Sequence, residues 1–155
     1  RIESGKSEMH FQQVEIASLV EEVEKVHQLK MKSSVELNVI RPEGEYWTST
    51  DRNRVMQVLF NFLSNAIKNT EKGSITLGLK HEGSWLKLYV SDTGCGISKE
   101  KLPQIFTRFE KLNEYAQGTG LGLSIIRQIM ELVDGNVCLD TSYAGGARFV
   151  VEWPQ

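Results

Sequence analysis

Long apolar runs are missing from this sequence. No stretch approaches the ~18 residues that a membrane-crossing helix needs, and the opening Arg1–Glu8 lacks the apolar segment of a secretory signal. Cysteine is scarce: Cys95 and Cys138 are the two present, and neither stands at metal-ligand spacing from the other or from His10, His27 and His81. That excludes a disulfide framework and a Cys/His zinc site, and it predicts two free thiols in a reduced compartment. A dominant charge is lacking as well. Eighteen Lys and Arg against twenty Asp and Glu give a formal net charge of −2, with the basic residues scattered. Such a chain has no field to draw it onto nucleic acid or an anionic membrane. No membrane contact is expected of this segment.

What is present suits one folded domain. The chain has 155 residues, 40% of them hydrophobic and 25% charged, and at this size roughly 68–70% of the unfolded surface can be buried without staples. It begins at Arg1, not methionine, as a fragment of a longer protein would. Residues 1–10 read as a linker or the end of a preceding helix, and 11–155 as the domain proper.

Phe11, Val14 and Ile16 alternate as an edge strand, and apolar positions from Ala17 to Met31 then follow a helical period. Ser34–Ile40 alternates as a strand closed by Arg41-Pro42 and a Glu43-Gly44 turn, with a short strand over Tyr46–Ser49 returning from it. The strongest helix begins at Thr50 or Asp51, both competent N-caps, and runs through Val55, Val58, Leu59, Phe62, Leu63, Ala66 and Ile67 to a stop at Gly73. Ile75–Leu79 and Leu86–Val90 form a hairpin; an irregular stretch follows from Asp92 to about Gly120. A further helix spans about Leu121–Val133 and ends at Asp134-Gly135, before strands over Val137–Asp140 and Phe149–Glu152. Strands and helices mix without strict βαβ alternation, which predicts an α+β two-layer sandwich.

Three clusters bear chemistry. Gln57, Asn61, Asn65 and Lys68 recur along one edge of the strong helix. Buried amides need partners. These either pair with backbone and water or offer carbonyl oxygens to a magnesium ion and an ammonium to phosphate. Asp92-Thr93-Gly94-Cys95-Gly96 follows a strand directly. It is either a turn capped by Asp92 or a carboxylate presented to an exocyclic amine such as that of adenine. Gly118-Thr119-Gly120-Leu121-Gly122-Leu123 opens a helix, where converging N–H groups and the helix dipole suit an anion. It matches neither the P-loop nor the dinucleotide pattern.

In this order the three clusters resemble the N, G1 and G2 boxes of histidine kinases. Phe106-Thr107-Arg108-Phe109 is similar to the intervening F box, and the run from Val58 to Lys68 is similar to that family's N box almost throughout. Gly145-Gly146-Ala147-Arg148-Phe149 with Trp153-Pro154 resembles its terminal box, and the likeness covers about residues 10 to 154. The resemblance implies the Bergerat ATP-binding fold shared with gyrase, mismatch-repair and heat-shock chaperone ATPases, a mixed, mainly antiparallel sheet packed on three helices.

It further implies ATP and Mg2+ as cofactors. Asn65 would be the main magnesium ligand with Asn61 beside it, and Lys68 would contact phosphate. Asp92 would receive the adenine amine, with Gly94 and Gly96 giving the base close access and Ile97 among the nucleotide-binding residues. Asn69 stands where the family often has an aromatic that stacks near the base. Arg108 and Lys111 of the lid would reach the terminal phosphates, while Gly118, Thr119, Gly120, Leu121, Gly122 and Leu123 would present N–H groups to them. The hydrolysing relatives carry a glutamate where this chain has Asn61, an amide that is no base at neutral pH. The implied activity is phosphoryl transfer to a histidine on a separate dimerisation and phosphoacceptor domain, with a response regulator receiver domain downstream. None of the three histidines has the acceptor context. The implied compartment is the cytoplasm, with an inner-membrane anchor in the parent protein left open. A different class of reading is a degenerate, nucleotide-gated interaction module without transfer activity.

Overall fold

A computed structural model describes residues 10–93, 123–140 and 146–155 of the chain. In chain order its elements are β1 (Gln12–Glu15), α1 (Ile16–Gln28), β2 (Val35–Ile40), β3 (Trp47–Thr50), α2 (Arg52–Asn69), β4 (Gly73–Glu82), β5 (Trp85–Asp92), α3 (Leu123–Glu131), β6 (Asn136–Leu139) and β7 (Ala147–Pro154). Five strands form one sheet in the order β2-β4-β5-β7-β6, and β1 pairs with β3 in a separate ribbon. Only β2–β4 is parallel in the large sheet; its other pairs are antiparallel. The helices cover one face, so the α+β sandwich expected from the sequence is the observed architecture.

Capping explains where the helices start. Asp51 Oδ1 accepts from the N–H groups of Asn53 at 3.0 Å and Arg54 at 3.3 Å, and its other oxygen accepts the backbone N–H of His10 at 2.9 Å. The first helix begins one residue earlier than its period suggests, because Glu15 is the cap. Its carboxylate accepts from the backbone N–H groups of Ala17, Ser18 and Tyr46 at 3.0, 2.9 and 2.7 Å. Burial opposes ionisation of Glu15, yet these donors outweigh it and hold the carboxyl below its usual range.

The short strand expected after the Glu43-Gly44 turn is β3, paired antiparallel with β1 from Gln12↔Thr50 to Glu15↔Trp47. One expectation is corrected: Gly73 does not end α2. The helix stops at Asn69, and Gly73 opens β4 at φ 129°, where a Cβ would lie 2.1 Å from Thr93 Oγ1. A glycine is required there by a close approach, not by a helix terminus.

The core lies between α1, α2, α3 and the sheet. Alternate residues of β5 and β7 (Leu86, Leu88, Val90; Phe149, Val151, Trp153) are buried against Val58, Leu59, Phe62 and Leu63 of α2. Phe62 stacks on Phe149 with ring centroids 5.3 Å apart. Trp153 Nε1 donates to Thr48 Oγ1 at 3.0 Å, which satisfies the buried indole and ties the β1–β3 ribbon to the large sheet. No helix among the described residues is long and apolar enough to cross a membrane.

Candidate nucleotide site

The amide stripe of α2 passes from solvent into the interior and out again. Gln57 is exposed, Asn61 and Asn65 are buried at 0% and 4% exposure, and Lys68 is exposed in the last turn. Asn65 Nδ2 donates to Asn61 Oδ1 at 3.2 Å, one helical turn away. This bond fixes which way the Asn65 amide points, and its carbonyl oxygen Oδ1 is buried without a hydrogen-bond partner. An unpaired buried acceptor costs about 1–3 kcal/mol. A water or an oxygen-seeking cation would satisfy such an atom. One further turn along, Asn69 Nδ2 is a buried donor also without a partner, as is Thr70 Oγ1.

Asp92 ends β5, buried at 4% exposure. It is held from both neighbouring strands. On one side Ala147 N–H donates to Asp92 Oδ1 at 3.3 Å, and a Cβ on Gly146 would lie 2.1 Å from Asp92 O, so only glycine lets the two backbones approach. On the other, Thr93 N–H donates to Ser74 O at 3.2 Å while Thr93 Oγ1 accepts from Ser74 N–H at 3.1 Å. A carboxylate fixed in this way, at a strand end and beside a glycine, suits recognition of a small planar donor.

Of the residues singled out from the sequence, Asn61, Asn65, Lys68, Asn69 and Asp92 lie on α2 and on β5, which packs beneath it. Leu123 is the first described residue of α3. Gly94, Gly96, Ile97, Arg108, Lys111, Gly118, Thr119, Gly120, Leu121 and Gly122, with Cys95, lie outside the described residues. The grip of Thr93 and Ala147 on the Asp92 strand end is not legible from spacing; the paired glycines at 145–146 were the available signal.

Among the described residues, the histidines and Cys138 lie off the α2 stripe and off the end of β5. His10 is exposed, and His81 lies on β4 near Tyr46, with ring centroids 5.2 Å apart. His27 is fully buried, its Nδ1 on Val23 O at 2.9 Å and its ring edge-on to Phe60 at 4.6 Å. Burial lowers its pKa, the Val23 bond opposes that, and Lys30 adds to it. Cys138 is a free, half-buried thiol pushed up by burial and then by Glu152 and Asp140, a setting that suppresses thiolate chemistry.

Comparison with known proteins shows the family and the fold. The family model described as histidine kinase-, DNA gyrase B-, and HSP90-like ATPase matches residues 50–155. An uncharacterised sensor-like histidine kinase of Rhizobium meliloti is 35% identical over 162 residues, covering 99% of this chain and 30% of the relative. The crystal structure of full-length ShkA in complex with AMPPNP superposes with a TM-score of 0.77 at 27% identity, over 94% of this chain and 31% of that one. Histidine kinase ThkA, in complex with the response regulator protein TrrA, gives 0.78 at 26% identity, over 94% and 42%. The chain thus spans about a third of the length of that curated relative. With a buried amide pair, a strand-end carboxylate and a family match over most of its length, the chain belongs to the histidine kinase-, DNA gyrase B-, and HSP90-like ATPases.

Proposed function

We propose that this chain is the ATP-binding, phosphoryl-donating domain of a sensor histidine kinase, and that residues 11–155 form that domain. The observation that carries the reading is the buried, partnerless carbonyl oxygen of Asn65, oriented by Asn61 on the helix above Asp92. Magnesium takes oxygen ligands and keeps several waters, so one or two protein oxygens plus nucleotide phosphates suffice to hold it. An orphaned amide carbonyl fits that role. Asn65 would hold the ion with Asn61 beside it, and bound magnesium would supply charge neutralisation to the phosphates.

Each other residue has a task that its chemistry permits. Asp92 accepts from the purine amine and selects adenine, since guanine presents a carbonyl there. Lys68, at the solvent end of the stripe, meets a phosphate as a point charge. Arg108 and Lys111 meet the terminal phosphates, and the backbone N–H groups of Gly118–Leu123 meet the phosphate chain. Asn61 abstracts no proton, so water is not activated and the phosphoryl group is kept for a better nucleophile. That nucleophile is a histidine on a separate helical dimerisation domain, and a response regulator receives the group afterwards. The chain works on the cytoplasmic side. A non-transferring, nucleotide-gated module is disfavoured because the sequence keeps Asn65, Asp92 and the Gly118–Gly122 loop.

Labelled ATP tests this. The chain alone should bind ATP, release phosphate slowly and take no acid-labile label. Adding the separate histidine-bearing domain should put label on that domain. Label on this chain's own histidines refutes the assignment.

A further inference from the structure

On the face of the large sheet opposite the helices, the Arg148 side chain links β7 to β5 and to the residue that follows β6, at the level of Asp92. Arg148, on β7, lies across from Ser91 of β5, just as Ala147 lies across from Asp92. Its Nε donates to Ser91 Oγ at 2.8 Å, and its Nη1 reaches Asp140 Oδ2, just beyond β6, at 3.4 Å. Arg148 O also accepts the backbone N–H of Asp140 at 2.8 Å. The guanidinium lies over the Tyr89 ring, 5.1 Å from its centroid. That ring in turn covers Gly78, where a Cβ would sit 2.0 Å from Tyr89 Cζ, so Gly78 leaves the space in which the ring lies flat. Ser91 is buried at 4% exposure.

We infer that Arg148 is a positioning residue for purine selection: by clasping Ser91 and Asp140 from the back of the sheet, it fixes the strand end that aims the Asp92 carboxylate. The inference rests on the reading of Asp92 as acceptor for the purine amine. Neighbouring residues on a strand point to opposite faces. Locking Ser91 on the back face therefore sets the direction of Asp92 on the front. Strand ends are the places where ladders open first, and the Asp92↔Ala147 pair is the last of this ladder. A carboxylate free to swing away or admit a water meets guanine's carbonyl oxygen without penalty. One held still does not, and selectivity depends on that preorganisation. The planar guanidinium suits the task because it bonds in two directions while resting on an aromatic face.

The test is the ratio of GTP to ATP dissociation constants, by titration calorimetry on this chain at a temperature where melting shows each variant folded. Wild type should favour ATP by roughly tenfold or more. Arg148→Met, which keeps the stem, should shrink that ratio about three- to tenfold, chiefly by weakening ATP, and Arg148→Lys should restore part of it. Ser91→Ala trims a single oxygen and should shrink the ratio in the same direction; it decides the matter if Arg148→Met does not fold. A residue that merely stabilises the sheet would lower the melting temperature and leave the ratio untouched, which would overturn the inference. Asp92→Asn separates the two layers of argument. If it abolishes selectivity while Arg148→Met and Ser91→Ala keep it, the positioning role alone falls. If Asp92→Asn keeps wild-type selectivity, the reading of Asp92 falls and this inference with it.

Discussion

Replacing Asn65 by alanine should separate folding from function, and the structure gives the sign of each effect. In the free protein Asn65 Nδ2 bonds to Asn61 Oδ1, while Asn65 Oδ1 is buried without a partner. Alanine removes one neutral hydrogen bond, worth about 1 kcal/mol, and at the same time removes an unpaired acceptor whose burial costs about 1–3 kcal/mol. The two terms oppose each other. Net stability should change by no more than about 2 kcal/mol, which for a chain of this size is roughly 4–8 °C in Tm. Mg-dependent ATP binding should respond quite differently. A carbonyl bonded to a cation resembles a hydrogen bond to a charged group, about 1.5–3 kcal/mol, so affinity should fall roughly 10- to 150-fold. Calorimetric titration with magnesium and with chelator, alongside thermal melting, reads both effects. If magnesium strengthens ATP binding by Asn65→Ala as much as by wild type, Asn65 is not the ligand. A loss of Tm far beyond the predicted range would show instead that the amide is mainly a structural element.

Asn61→Glu places a carboxylate where hydrolysing relatives carry one, and general-base assistance should raise phosphate release by up to ~10²–10⁴-fold; an unchanged rate would remove the explanation offered for slow hydrolysis. Gly78→Ala should displace Tyr89 and destabilise the domain by about 1–3 kcal/mol, whereas an unshifted urea midpoint would show that the ring moves freely. His27 is buried neutral with a depressed pKa, so its contribution to stability is complete above the unfolded imidazole's value near 6.5. That contribution is lost as pH falls below that value towards the folded one, because the unfolded chain then binds the extra proton. Urea midpoints between about pH 7.5 and pH 5.5 should fall more steeply for wild type than for His27→Gln; parallel curves would refute this.

The sequence alone determined what depends on near neighbours. The apolar period of α2, its cap at Asp51 and the placing of Asn61 and Asn65 on one helix edge follow from a 3.6-residue repeat and a side chain that bonds two residues on. The alternation of β4 and β5 and the tight turn at Gly83-Ser84 are equally local. Only the tertiary structure decided matters of partner and direction. The pairing of β3 with β1 and not β2 is one, since a short strand carries no mark of which edge it will join. The choice of Glu15 as a cap is another, because it depends on Tyr46, 31 residues away, bringing its N–H to the same carboxylate. The site follows the same rule. Its amides and its carboxylate were visible as residue types, but the hydrogen bond that leaves Asn65 Oδ1 without a partner is set by packing. The grip on Asp92 comes from Ala147, 55 residues further along the chain. A pattern fixes which face a side chain occupies; only the folded chain fixes what meets it there, because that depends on strands brought together across long separations.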